Sequence, residues 1–221
     1  MCGRFAISQP RFTRIEKELK TTFDEVTPRY NIAPSQEIAA IHEAEGEYVM
    51  EYMKWGLVPS WSETPKTSYS TFNAKVETVA EKPLYRSAFR HRRCIIPASG
   101  FYEWKQEGGR KLPFYFTLAN GEEMALAGLW EEWKGRDGSV LHSCTIIVGQ
   151  SNPLVGGIHD RMACIVPTEE LEDWLNPNEK SDYLLSMLQN PYDAGLMTCR
   201  AVAPAVNSVK NEGPQLIAPV E

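Results

Sequence analysis

The chain has 221 residues, 43% hydrophobic and 10% aromatic, enough for one globular domain, and no apolar run approaches the length of a membrane span. A formal net charge of −6 argues against a protein that coats duplex DNA through a general positive field. The charge is uneven, however: residues 1–120 carry 17 Lys/Arg against 14 Asp/Glu, and residues 121–221 carry 6 against 15, so a local basic groove on the first half is compatible with the total.

The chain opens Met1-Cys2-Gly3-Arg4-Phe5. A methionine before a small residue is normally removed, which would leave Cys2 with a free α-amine of pKa about 7.7–8.0 beside its own thiol. Such a 1,2-aminothiol condenses with an aldehyde to an imine and closes to a thiazolidine ring, its reactive groups already held together. The other cysteines, Cys94, Cys144, Cys164 and Cys199, show no CxxC spacing, which speaks against a zinc site or a disulfide framework and for buried, reduced thiols. Arg11, Arg14, Lys17 and Lys20 follow the first short apolar stretch too closely for a signal peptide, and the chain reads as cytosolic.

Strands are expected at Gly3–Ile7, Glu37–His42, Tyr48–Trp55, Ser70–Val76, Arg93–Pro97, Gly100–Gln106, Phe114–Leu118, Glu123–Trp130, Leu141–Val148, Ala163–Val166 and Met197–Val202. Hairpin signals stand at Glu45-Gly46, Gly108-Gly109, Asn120-Gly121 and Asp137-Gly138. Helices are expected at Pro10–Leu19 and Pro83–His91, each with proline in its first turn, and at Thr168–Leu175 and Glu179–Leu188. Arg29–Pro34 reads as a polar-aromatic loop. The class is therefore α+β: a single domain over residues 1–221, dominated by a curled, mainly antiparallel β-sheet or barrel with peripheral helices.

Three further segments could carry chemistry. Alternation along Phe72–Thr78 puts Asn73, Lys75 and Glu77 on one face, which serves equally as the wet side of a strand or as the wall of a cleft. Glu103 lies among Phe101, Tyr102 and Trp104, surroundings that raise a carboxyl pKa by desolvation and suit a general acid–base; a surface carboxylate on a hairpin is the plainer alternative. His159, between Gly157 and Asp160-Arg161, suits proton transfer or a structural hydrogen bond. No glycine-rich phosphate loop, HExxH or GxSxG occurs, and no acidic cluster has metal-site spacing, so neither cofactor nor metal is expected.

Taken in order, Met1–Phe5, Arg29–Pro34, Trp55–Trp61, Asn73–Thr78, Gly100–Trp104, Ile158–Met162 and Val206–Asn211 resemble the SRAP family of abasic-site processing proteins over essentially the whole chain. The resemblance implies a stable thiazolidine crosslink between mature Cys2 and the ring-opened aldehyde of an abasic site in single-stranded DNA, protecting the lesion during the DNA damage response. It implies that Glu103 assists imine formation and transimination, that His159 assists sugar ring opening and crosslink reversal, and that Asn73 holds the deoxyribose. Arg4, Lys75 and Arg161 would meet phosphates, and Pro34 and Trp61 would support bent DNA or stacked bases. The family is also described as autoproteolytic; here removal of one methionine would suffice. The implied partner is single-stranded DNA containing abasic sites, with no membrane and no metal, bound by a monomer. Two departures bear on DNA affinity: Lys75 stands where the family usually has arginine, and Ser62 follows Trp61 where members often have a second tryptophan. Other readings of Cys2 are an N-terminal-nucleophile hydrolase, a cysteine peptidase using Cys2 with His159 and Glu103, and a DNA-binding module in which Cys2 is incidental.

Overall fold

Alternating apolar residues build two sheets. In the computed structural model, which describes residues 2–67 and 70–220, they are formed by β1 (Phe5–Ile7), β2 (Arg29–Ile32), β3 (Glu37–Ala44), β4 (Glu47–Trp55), β5 (Asn73–Lys75), β6 (Arg93–Ala98), β7 (Gly100–Glu107), β8 (Arg110–Leu118), β9 (Met124–Lys134), β10 (Val140–Gln150), β11 (Arg161–Ala163) and β12 (Met197–Ala201). Five short helices lie around them: α1 (Thr13–Glu18), α2 (Arg86–His91), α3 (Pro153–Gly156), α4 (Leu171–Leu175) and α5 (Ser181–Gln189).

One sheet closes on itself. Its strands run β10-β4-β3-β6-β9, and β9 pairs back onto β10 from Val140↔Lys134 to Ile146↔Gly128, completing a five-stranded barrel. Closure removes exposed edges. Beyond Ile146, β10 leaves the barrel and takes new neighbours: β5 runs parallel to it through Ile147↔Ala74, and β11 antiparallel through Gly149↔Met162. The second sheet is open, in the order β12-β8-β7-β1-β2.

Period-two alternation divides the open sheet cleanly between two cores. Phe5, Ile7, Phe101 and Phe116 face the main core with barrel residues such as Trp55 and Ile95. Ala6, Tyr102 and Tyr115 point the other way, onto Val202, Val206 and Leu216 of the C-terminal segment. That segment therefore covers a sheet face that would otherwise be wet.

Arg93 is buried and forms no ion pair among the described residues. Its guanidinium donates to the carbonyls of Phe89 and Arg90 at the end of α2 (both 2.6 Å), to Trp174 at the end of α4 (2.7 Å) and to Asn176. Burial lowers its pKa to about 10.

The expected α+β class holds, and each expected strand and helix has a counterpart. Glu45-Gly46 and Gly108-Gly109 both sit at positive φ and close tight hairpins, as does the turn at Asp137-Gly138. Asn120-Gly121 does not close a hairpin: it carries the chain from β8 in the open sheet to β9 in the barrel, and those strands do not pair. Arg29–Ile32, expected as a loop, is strand β2, registered by Phe5↔Ile32; its Asn31 side chain bonds the C-terminal segment, while Arg29 donates to Gln36 Oε1 and Glu37 O.

Candidate functional site

The N-terminal strand runs antiparallel along β7, with Phe5 opposite Phe101 and the Tyr102 amide donating to Arg4 O at 2.9 Å. Continuing that direction carries Cys2 towards Glu103. The two are close enough that the carboxylate charge adds to burial in pushing the Cys2 thiol up to about 12. Cys2 is fully buried, so in this state it is a thiol and not a thiolate. Glycine at position 100 permits the strand packing, because a Cβ there would collide with Phe116 O and the Tyr115 ring.

Glu103 is 3% exposed, and desolvation, helped by the Asp160 charge, raises its pKa to about 7. A carboxyl poised there exchanges protons readily in either direction at neutral pH. His159 lines the same cleft, of about 460 Å³, with Arg4, Phe72, Trp104, Lys111 and Asn207. Its position follows from a local device. Asn152 caps α3 by accepting from the Val155 amide at 2.9 Å, and Val155 O in turn accepts the His159 amide at 2.9 Å. His159 Nδ1 accepts from the Arg161 amide at 3.0 Å, which requires a lone pair there and places the proton of the neutral ring on Nε2. The Asp160 carboxylate, also 3.0 Å from Nδ1, favours the protonated ring, but burial prevails and lowers the pKa.

Asn73 opens β5 next to Phe72. Its Nδ2 donates to Phe72 O at 3.0 Å, while its buried Oδ1 has no partner among the described residues. An orphaned buried acceptor costs stability unless something fills it, so Oδ1 is ready for an incoming hydroxyl or amine. Lys75 is exposed on the same strand and Ala74 buried, the alternation expected from sequence. Arg161, across β10, is ion-paired with Glu77.

Arg4 is committed elsewhere in large part: its Nη1 donates to Asn31 Oδ1 at 2.5 Å and Val206 O at 2.9 Å, and the guanidinium lies 5.6 Å over the Trp104 ring. Pro34 lines a second depression, of about 340 Å³, with Lys54, Lys66 and Phe72; Phe72 borders both hollows. Trp61 is 65% exposed on the segment between β4 and β5 and lines neither. The structure thus gathers Arg4, Glu103 and His159 in one cleft with Cys2 buried beside Glu103, sets Asn73 at its edge through Phe72, and holds Lys75, Arg161, Pro34 and Trp61 outside it.

Residues 1–209 match the family model described as SOS response associated peptidase (SRAP). The chain belongs to the SRAP family. Among its relatives, the abasic site processing protein YoqW of Bacillus subtilis is 42% identical over 222 residues, spanning 98% of this chain and 99% of that one. The abasic site processing protein YedK of Escherichia coli is 30% identical and matches all of both chains. A crystal structure of a Bacteroides thetaiotaomicron protein superposes with a TM-score of 0.84 over the whole of both chains at 24% identity, and shares the fold. SRAP membership accounts for the ordered motifs but leaves parts of the cleft unnamed. Phe72, Lys111 and Asn207 come together from positions far apart in the chain; Phe72 and Asn207 lie within segments the sequence singled out, whereas nothing in the sequence pointed to Lys111.

Proposed function

We propose that this SRAP protein, once Met1 is removed, binds single-stranded DNA at an abasic site and crosslinks Cys2 to the lesion's aldehyde. The observation that carries the reading is the pairing of Cys2 with Glu103, a carboxyl near pKa 7, in the cleft that also holds His159. The Cys2 amine attacks the aldehyde carbon, and loss of water gives the imine. The thiol then adds to the imine carbon, its proton passes to the nitrogen, and the thiazolidine closes. A thiol held near pKa 12 needs a base for that last step, and Glu103 is the group at hand. His159 serves the opening of the closed sugar, Asn73 Oδ1 receives a sugar hydroxyl, and Lys75 and Arg161 meet the strand as it passes β5 and β11, which flank the end of β10. The same thiol weighs against a cysteine peptidase acting on other chains, which needs a thiolate of depressed pKa.

Denaturing mass spectrometry of the protein with and without abasic single-stranded DNA tests this directly. A mass lacking methionine, and a covalent adduct formed only with abasic DNA, are expected. A demethionylated protein that forms no adduct would overturn the proposal.

A further inference from the structure

The cleft wall formed by Arg4, Trp104, Gln106, Lys111 and Asn207 is rich in hydrogen-bond donors. Asn207 Oδ1 accepts from Trp104 Nε1 at 2.6 Å, and an indole N–H can only donate. The amide orientation is therefore fixed: Oδ1 faces the tryptophan, and the Nδ2 amine is directed away from it. Lys111, paired across the hairpin with Gln106, lines the same wall and forms no ion pair among the described residues. Arg4, at the base of the wall, adds a third cationic or amide donor already anchored by Asn31 and Val206. Glu103, the one carboxyl among the described residues of the cleft, has its pKa near neutrality and so is in part uncharged there. A wall of an ammonium, a guanidinium and an oriented amide selects an anion with several acceptor oxygens.

We propose that Asn207 and Lys111 form a binding subsite for a phosphodiester flanking the abasic nucleotide. The assignment rests on the crosslinking reading above for the identity of the strand, and it gives the segment Val206–Asn211 a direct part in substrate binding beyond covering the sheet. Trp104 is a positioning residue here, acting through the Asn207 amide.

The test uses an abasic oligonucleotide carrying a neutral methylphosphonate at one linkage on either side of the lesion, with Asn207→Asp and Lys111→Met as variants. Asn207→Asp keeps the acceptor for Trp104 and replaces the outward donor by a carboxylate, so the fold is retained while the anion site is reversed. For the wild type, a methylphosphonate at one of the two flanking linkages should raise the half-saturating DNA concentration about tenfold, the order expected for a charge-assisted contact. Asn207→Asp should show the same loss with unmodified DNA and no further loss with the modified strand. Equal half-saturation for wild type and both variants, or a wild type indifferent to methylphosphonate on both sides, would overturn the subsite. Fluorescence anisotropy of the same oligonucleotides reads binding independently of any adduct. Absence of a heat-stable adduct with intact phosphate-dependent binding would therefore sink the crosslinking chemistry and leave the subsite standing.

Discussion

Asn31 joins the two ends of the chain through Arg4. Its Oδ1 accepts from Arg4 Nη1 at 2.5 Å, and its Nδ2 donates to Ser208 O at 2.9 Å and Asn211 O at 2.8 Å, all with the side chain buried. Asn31→Asp would keep the acceptor for Arg4 but set a carboxylate oxygen against two carbonyls. We expect a loss of about 1–3 kcal/mol from the unsatisfied buried groups, read as a Tm several degrees lower. An unchanged melt would mean the C-terminal segment is held by its apolar contacts alone.

Cys2→Ala keeps an amine that can form an imine but has no thiol to close the ring. It should give adducts that are trapped by borohydride and lost on heating. Cys2→Ser could close only a less stable oxazolidine. A heat-stable crosslink from Cys2→Ala would exclude the thiazolidine.

Glu103→Gln should slow crosslinking roughly 10²-fold, the lower range for one general acid–base group. It should also change the pH dependence of stability in a defined direction. The folded pKa near 7 lies above the unfolded carboxylate value, so between about pH 4.5 and 7 the folded state binds more protons and stability falls as pH rises. The cost of the buried charge is fully present above pH 7 and amounts to at most about 3 kcal/mol. Glu103→Gln should thus raise the Tm at pH 8 and leave it nearly unaltered at pH 4. Parallel melts of both proteins across that range would show that burying the Glu103 charge carries no cost and that its pKa is not raised.

In the proposed complex Arg161 would meet DNA while sharing its charge with Glu77, whereas Lys75 forms no ion pair among the described residues and touches Glu77 only through its field. Lys75→Ala should flatten the logarithmic salt dependence of single-strand binding by about 0.7, one phosphate's worth. Glu77→Gln should release Arg161 and tighten binding. Weaker binding by Glu77→Gln would show that the ion pair organises Arg161 rather than restraining it.

His159→Gln separates catalysis from structure. Loss of the proton carrier should slow both adduct formation and transfer to a competing abasic oligonucleotide, leaving the finished crosslink equally stable. Transfer at the normal rate with a lowered melt would assign His159 to holding the turn after α3.

Much of this was legible in the sequence because it is local. The strands follow from period-two alternation, and the aromatic flank of Glu103 announced a desolvated carboxyl, which is 3% exposed with its pKa raised by burial. What was not legible depends on long-range pairing. Arg29–Ile32 reads as a loop because its polar side chains look wet, and only Ser208 and Asn211, some 180 positions on, turn Asn31 inward. Asn120-Gly121 has the composition of a hairpin turn, yet whether flanking strands pair is decided by which sheet each joins. Arg4 looks like a free cation until Asn31 and Val206 O are seen to hold it.

The Arg93 guanidinium does for two helices what water does at an open helix end: it satisfies the last carbonyls of α2 and α4, about 80 positions apart in the chain. Neither helix is long enough to persist alone, at six and five residues. Because the same side chain closes both, unfastening one leaves a buried cation that destabilises the other. Their amide protons should accordingly exchange at a common rate, as a single cooperative unit on the barrel's flank, and an Arg93→Lys protein, with too few donors in the wrong arrangement, should loosen both together.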